Sequence, residues 1–351
     1  MKIAFVMYNI LSTERMSLML LSALAKQHFP RAEVDMFVYS NGRLKEELLE
    51  FKPDIVAFSA TTGEHIYYLQ MAKEIKLLEK QIGKKIFCIM GGPHCTFAPE
   101  ILKDSALDAI GVGECDDAWP ELLGALETGK NIDDVQNIVT HQNFNKVIKP
   151  AALKENYVKF QAVNMRPRTC RDPINHEHCL DYLPFLDWDL FLRKTDFDKM
   201  NSIQKRTIMT RRGCPFTCTY CFNRVFNAVY DGERTVHNYS VDRVIAECEY
   251  VGQNWPTRFW KVYDDVAFFS AKGKEGERLQ EFAEKWPKKI NLPFFVLTRA
   301  DLVAKEPDIL RYLKKAGCAS LTMSIECGNE FVRNRILERK MSDKDILTSH
   351  R

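Results

Sequence analysis

The sequence predicts an α/β protein: an N-terminal doubly wound, Rossmann-like parallel sheet followed by a partial (β/α) barrel. Three observations predict this. Short apolar runs alternate with amphipathic ones over the first ~130 residues, as in a parallel sheet covered by helices. The same alternation resumes at Arg206, after a less regular stretch. The length, 351 residues, suits two domains at about 150 residues each. The expected division is 1–135 for the first domain, 136–204 for a connector and 205–351 for the partial barrel.

In the first domain the strand candidates are Lys2–Tyr8, Glu33–Tyr39, Asp54–Ala60, Lys85–Met90 and Leu107–Val112, with helices between them. In the helical stretch Glu14–Gln27, Met16, Leu20, Ala23 and Leu24 share one face. Five strands of this kind make a doubly wound sheet whose ligand site lies at the carboxyl ends of its strands. The connector carries polar turns such as His141-Gln-Asn-Phe-Asn and a cluster between Arg166 and Cys179.

In the second domain Thr207–Thr210 is a strand and Ser240–Val251 a helix with Val241, Val244, Ile245, Cys248 and Val251 on its apolar face. Strands follow at Arg258–Tyr263, Phe294–Thr298 and Leu321–Ile325, then a helix from Glu330 onward. Four β/α units make an open arc with an exposed sheet edge. A barrel truncated at its C-terminus, lacking its last strands, is the expectation.

Composition is that of an ordinary soluble globular chain, 46% hydrophobic and 28% charged. A net charge of +3, from 50 basic and 47 acidic residues, is too balanced to argue for nucleic acid or an anionic membrane, and neither partner is expected. No apolar run approaches the ~20 residues of a membrane span. Eleven cysteines without a secretion signal point to a reducing, cytoplasmic setting, where thiols serve as metal ligands or small buried hydrophobes.

The strongest motif follows the Thr207 strand. Arg211-Arg212-Gly213 leads into Cys214-Pro-Phe-Thr-Cys218-Thr-Tyr220-Cys221. C-x3-C-x2-C on one loop aims three sulfurs at one small inorganic centre, and Gly213 permits an unusual backbone angle beside it. An iron–sulfur cluster normally takes four cysteines. Three leave one iron open to a small molecule, which favours catalysis. The plainer alternative is zinc, but structural zinc motifs usually bring two C-x2-C pairs and this chain has no second pair. Cys170, His176, His178 and Cys179 fit no common zinc spacing.

The C-x3-C-x2-C triad with Tyr220 before its last cysteine, at the end of the first strand of a β/α series, resembles the radical S-adenosylmethionine (SAM) superfamily. The resemblance implies a 4Fe–4S cluster on Cys214, Cys218 and Cys221, with the open iron binding SAM and reductive cleavage giving a 5′-deoxyadenosyl radical. It implies Tyr220 near the adenine, Asp264 and Asp265 near the SAM amino group, and Glu326 as a fourth-strand SAM contact. Arg299, after the third strand, is a candidate partner for the SAM carboxylate. Plainer readings are helix N-caps for the acids and a surface ion pair for Arg299.

The first domain lacks G-x-G-x-x-G after its first strand, which argues against a dinucleotide site. Small residues instead mark later strand ends: Ser59-Ala-Thr61, Gly91-Gly92-Pro-His94 and Gly111-Val-Gly113-Glu114. They let a flat, broad ligand lie against backbone. This pattern, with Leu180-Asp-Tyr-Leu-Pro-Phe-Leu-Asp-Trp before the barrel, is similar to radical SAM enzymes with an upstream cobalamin-binding domain, the class B methylases among them. The resemblance implies that Ser59, Thr61, Gly91, Gly92, His94, Gly111, Gly113 and Glu114 line the cobalamin. Some cobalamin domains carry D-x-H-x-x-G after the first strand; this chain has no histidine there, so cobalamin is expected without a protein histidine on cobalt, as the resemblance implies for many radical SAM relatives.

The implied activity is cobalamin-dependent methylation of an unactivated carbon or phosphorus of a small-molecule substrate, with flavodoxin or ferredoxin as electron donor. Alternatives are radical cyclisation or rearrangement with the same cofactors, and an inactive cobalamin-binding remnant. A methylthiotransferase needs a second cysteine triad, and Cys88, Cys95 and Cys115 are dispersed over three elements.

Overall fold

A computed structural model describes residues 1–9, 14–150, 159–163, 165–166, 179–230 and 236–351. The chain divides into two units. One comprises Met1–Thr169 with Leu183–Met200, the other Cys170–Tyr182 with Asn201–Arg351.

The first unit is a three-layer α/β sandwich. In chain order it contains β1 (Lys2–Met7), α1 (Met16–His28), β2 (Glu33–Val38), α2 (Leu44–Phe51), β3 (Ile55–Ser59), α3 (His65–Ile82) and β4 (Phe87–Gly91). There follow α4 (Pro93–Phe97), β5 (Ala109–Gly111), α5 (Ala118–Thr128), β6 (Ile138–Thr140), α6 (Phe144–Val147), β7 (Ile148–Pro150), β8 (Phe160–Ala162), α7 (Trp188–Lys194) and α8 (Phe197–Met200). The main sheet runs β2-β1-β3-β4-β5-β6. Its first five strands are parallel, while β6 pairs antiparallel with β5. Burial on both faces explains why β1 reads as a continuous apolar run, with Ile3 through Met7 all solvent-free. Connections leave in opposite directions from β1 and β3, which creates a crevice at their carboxyl ends.

The sequence expects five strands, and the sheet has six. β6 is three residues long and lies inside the stretch read as connector, too short for a periodic signal. Residues 183–200 also pack in this unit. Asp187 caps α7 by accepting from Leu190 N, and it accepts from Ser22 Oγ at 2.5 Å and Lys26 Nζ at 2.6 Å on α1.

The second unit holds β9 (Lys205–Ile208), β10 (Arg211–Arg212), α9 (Phe222–Val229), β11 (His237–Asn238), α10 (Val241–Asn254), β12 (Phe259–Val262) and α11 (Gly273–Lys289). It continues with β13 (Phe294–Thr298), α12 (Ala300–Lys305), α13 (Asp308–Ala316), β14 (Cys318–Met323) and α14 (Asp343–Ser349). The parallel sheet runs β14-β13-β12-β9. Ser240 caps α10 by accepting from Arg243 N. Trp260, Phe282, Trp286 and Phe294 form the aromatic core between β12, β13 and α11, at ring separations of 5.0–6.3 Å.

Two details depart from expectation. The fourth strand ends at Met323, before Ser324 and Ile325, because Glu326 turns into the left-handed region at φ 69°. The single helix expected from Glu330 is instead a π-helical turn, Val332–Ile336, then α14 with its own Ser342 capping box. Arg333, wholly buried, ties this segment together: it donates to Met341 O at 2.8 Å and Cys327 O at 2.8 Å and pairs with Asp343.

Candidate functional site

The cysteine loop begins where β9 ends. The short β10 pairs antiparallel with β11, and Gly213 at φ 92° turns the chain immediately before Cys214. A side chain at that angle would be strained. Asp264, just past β12 and only 2% exposed, holds the base of the loop. Its carboxylate accepts from Thr210 N at 2.7 Å, Thr210 Oγ1 at 2.6 Å and Arg211 N at 3.3 Å. Asp264 is thus occupied on the protein side of the loop. Burial pushes its carboxyl up to about 6, against the opposing pull of Arg211 and the Thr210 donors. Its neighbour Asp265 is exposed, and its charge adds to the upward push of burial on Cys214 and Cys221.

Within the loop Cys218 is nearly buried, at 6% exposure, and Cys214 and Cys221 are half-buried. Cys221 stands at the N-cap of α9, where the helix dipole favours a thiolate. Asn223 Nδ2 donates to its sulfur at 3.7 Å. Burial pushes the Cys214 thiol up to about 11 and that of Cys221 upward. Cationic metal would have to displace these protons, as metal uptake by thiols generally does. Among the described residues, no three His, Cys, Asp or Glu side chains stand at the spacing of a single-ion site. Cluster cysteines bind separate irons, so one loop presenting three partly sheltered sulfurs suits a cluster.

The segment after β14 closes over this loop. Thr219 N and Oγ1 donate to Leu337 O at 3.1 Å and Ile336 O at 2.7 Å, and Arg224 pairs with Glu338 at 3.0 Å. Arg339 is the hub. It donates to the Tyr220 hydroxyl and to Ser324 O at 2.6 Å, and it lies 3.5 Å from Glu326. Burial, only partly countered by Arg339, holds the Tyr220 phenol well above its ordinary range. The residue is 45% exposed. Glu326 sits in a conformation disfavoured for a residue with a side chain, a form of strain that clusters at functional sites. Arg299 is buried, hydrogen-bonded to Asp301, to Arg339 O and to Cys218 Sγ, with its guanidinium 3.9 Å from the Phe216 ring.

The structure therefore brings Tyr220, Arg299 and Glu326 to the cysteine loop, and Asp264 to its base. Sequence reasoning missed Arg339, Phe216 and Asp301. Arginines and acids are ordinarily surface residues, and no spacing marks these three.

In the first unit the small residues also converge. Ser59 pairs with Gly91 in register, and Ala60 N donates to Gly91 O at 2.9 Å. His94 N donates to Ala60 O at 3.1 Å, and Gly113 N donates to Thr96 Oγ1 at 2.9 Å. Gly92 has φ 94°, and a Cβ there would meet Ala60 O at 2.7 Å and Ala60 N at 2.8 Å. Gly111 leaves 3.1 Å between a would-be Cβ and Cys115 Sγ. The His94 ring stacks on His65 at 3.7 Å with Nδ1 3.0 Å from Thr62 Oγ1, and burial followed by the His65 charge lowers its pKa. Thr61 Oγ1 donates to Glu64 at 2.9 Å, and Glu114 offers its carbonyl to Asn137 at 3.1 Å. Unforeseen in the sequence are Arg15, which forks onto Glu64 at 2.5 and 3.2 Å, and Tyr8 stacked on Tyr67 at 3.8 Å. Of the Cys170, His176, His178 and Cys179 set, only Cys179 lies within the described residues, and it is buried.

A loop of three cysteines and no fourth, at the carboxyl end of the first strand of a parallel β/α sheet, defines a cluster-carrying class of α/β protein. Residues 208–351 match the radical SAM superfamily. Residues 13–123, upstream of that segment, match the B12 binding domain. The chain is 27% identical over 291 residues, 82% of its length, to "Uncharacterized methyltransferase PH0819" of Pyrococcus horikoshii, and covers 54% of that protein. It is 24% identical over 299 residues, 84% of its length, to hopanoid C-3 methylase of Methylococcus capsulatus, and covers 49% of it. The chain thus spans about half the length of these curated relatives. In fold it resembles the cobalamin-dependent SAM radical enzyme OxsB, solved with aqua-cobalamin and SAM bound. The TM-score is 0.74 at 16% identity, over 99% of this chain and 47% of that one. Among the described residues no helix is long and apolar enough to cross a membrane.

Proposed function

We propose that the chain performs cobalamin-dependent radical SAM methylation of an unactivated carbon or phosphorus in a small molecule. The observation that carries this reading is the C-x3-C-x2-C triad on one loop, in a chain whose upstream sheet ends in a glycine cradle. The methyltransferase names of both relatives support methyl transfer. When bound, the cluster with SAM supplies a carbon radical, and cobalamin supplies the methyl group.

The residues divide the work. Cys214, Cys218 and Cys221 would hold the cluster. Asp264 fixes the loop's entry through Thr210 and Arg211. Tyr220 and Glu326, oriented by Arg339, and the exposed Asp265 are the groups we assign to SAM. Gly91, Gly92, Gly111 and Gly113 keep the upper edge of β4 and β5 low, for a broad planar ligand, with Ser59, Thr61, His94 and Glu114 around it. The His94 ring is engaged with Thr62 and His65, and the stretch between β1 and α1 carries no histidine, so we assign no imidazole to cobalt. Flavodoxin or ferredoxin is the proposed electron source and the cytoplasm the proposed location.

The test is anaerobic reconstitution with iron, sulfide and hydroxocobalamin, then reduction with SAM present. Methyl transfer predicts both 5′-deoxyadenosine and S-adenosylhomocysteine. 5′-Deoxyadenosine alone would favour cyclisation or rearrangement. Corrinoid uptake without SAM cleavage would mark a binding protein and overturn the enzymatic reading.

A further inference from the structure

The geometry points to Arg299 as a positioning residue that donates a charge-assisted N–H···S bond to Cys218 and thereby raises the reduction potential of the cluster on that loop. This rests on the cluster reading above. It also moves Arg299 from a SAM carboxylate partner to the protein side of the metal.

Four of the five guanidinium N–H donors are engaged where it stands. Its Nε donates to Asp301 Oδ1 at 2.9 Å and its Nη2 to Asp301 Oδ2 at 3.2 Å, a bidentate fork. Nη2 also donates to Arg339 O at 2.5 Å. Nη1 points at Cys218 Sγ, 3.5 Å away. The face of the guanidinium lies on the Phe216 ring, 3.9 Å from its centroid. Phe216 lies between Cys214 and Cys218, so the cysteine loop itself supplies the stacking platform. Both Arg299 and Asp301 are nearly solvent-free, with side chains 8% and 5% exposed. A planar cation held at three of its edges and one face has little freedom to swing toward a ligand.

Two physical effects follow for a cluster bound there. Hydrogen bonds to cluster sulfurs, burial and nearby charge all set its potential. An N–H donor and a positive charge both favour the reduced cluster, which carries one more negative charge. Asp301 opposes this, because its carboxylate neutralises much of the guanidinium charge. The pair therefore predicts shifts of opposite sign. Losing the cation makes the one-electron reduction harder, whereas losing the anion makes it easier.

The experiment is an EPR-monitored potentiometric titration of the reconstituted full chain, with iron and sulfide assayed in every sample. Arg299→Met should lower the reduction equilibrium constant at least tenfold, about 59 mV for one electron. Asp301→Asn should raise it. Arg299→Lys keeps the charge but loses the planar fork, so it should fall between wild type and Arg299→Met, and it serves if the Met variant does not fold. A potential unchanged in variants that load iron as wild type does, or shifts of the same sign for Arg299→Met and Asp301→Asn, would overturn the assignment. Wild-type protein that takes up no cluster would instead overturn the underlying reading of the cysteine loop.

Discussion

Asp264 is the residue whose removal speaks most directly to how the cysteine loop is held. Asp264→Ala strips an acceptor from three buried donors, Thr210 N, Thr210 Oγ1 and Arg211 N. Two of these bonds are short, 2.7 and 2.6 Å, and the third is 3.3 Å. Each orphaned buried donor costs about 1–3 kcal/mol. Relief from burying a carboxylate offsets part of this. The net expectation is about 2–4 kcal/mol by urea unfolding at pH 7. Asp264→Asn keeps an acceptor for the amides and should cost about 1–2 kcal/mol. The neighbouring Asp265 is exposed, so Asp265→Ala should stay within about 0.5 kcal/mol of wild type. Linkage adds a sign. Asp264 titrates higher in the folded chain, about 6 against an ordinary 3.8, so it binds its proton more tightly when folded. Its contribution is full below 3.8 and is lost as pH rises through about 6. Wild type should therefore lose stability relative to Asp264→Asn over that window. An Asp264→Ala variant as stable as wild type, or an equal cost at Asp265, would refute the assignment.

Three other perturbations test separate parts of the account. Gly92→Ala forces a Cβ to within 2.7 Å of the Ala60 carbonyl at a positive φ, and should cost about 2–5 kcal/mol in thermal unfolding. Glu64 is subject to burial, yet the Arg15 fork outweighs it and holds the carboxyl below its usual range. The stability from this pair should be present above pH 4.5 and lost as pH falls further, a loss absent from Glu64→Gln in pH-dependent unfolding. Arg339→Met should free the Tyr220 hydroxyl and the Ser324 carbonyl, and quicken amide hydrogen exchange around both while leaving β12 and β13 unchanged.

Much of the fold was legible because burial leaves a periodic trace. β1, β2 and β13 stand within a residue of their expected bounds, since each alternates or runs apolar between turn signals. β6 escaped notice because three residues carry no period, and the break after β14 because a left-handed Glu326 leaves no mark in composition. The Ser342-Asp-Lys-Asp345 capping box was present in the sequence and would have located α14. The three cysteines were legible because sulfur donors at tight spacing have few structural uses. Their surroundings were not. Arg299, Arg333 and Arg339 are buried through partners 2 to 119 residues away, and only folding brings such pairs together.

The most direct test of the central claim is metal analysis of anaerobically reconstituted protein beside Cys218→Ala. Wild-type chain should carry on the order of four iron and four sulfide. The variant should lose the cluster's visible absorption while retaining corrinoid uptake. Zinc in place of iron, or a cluster that persists without Cys218, would contradict that claim.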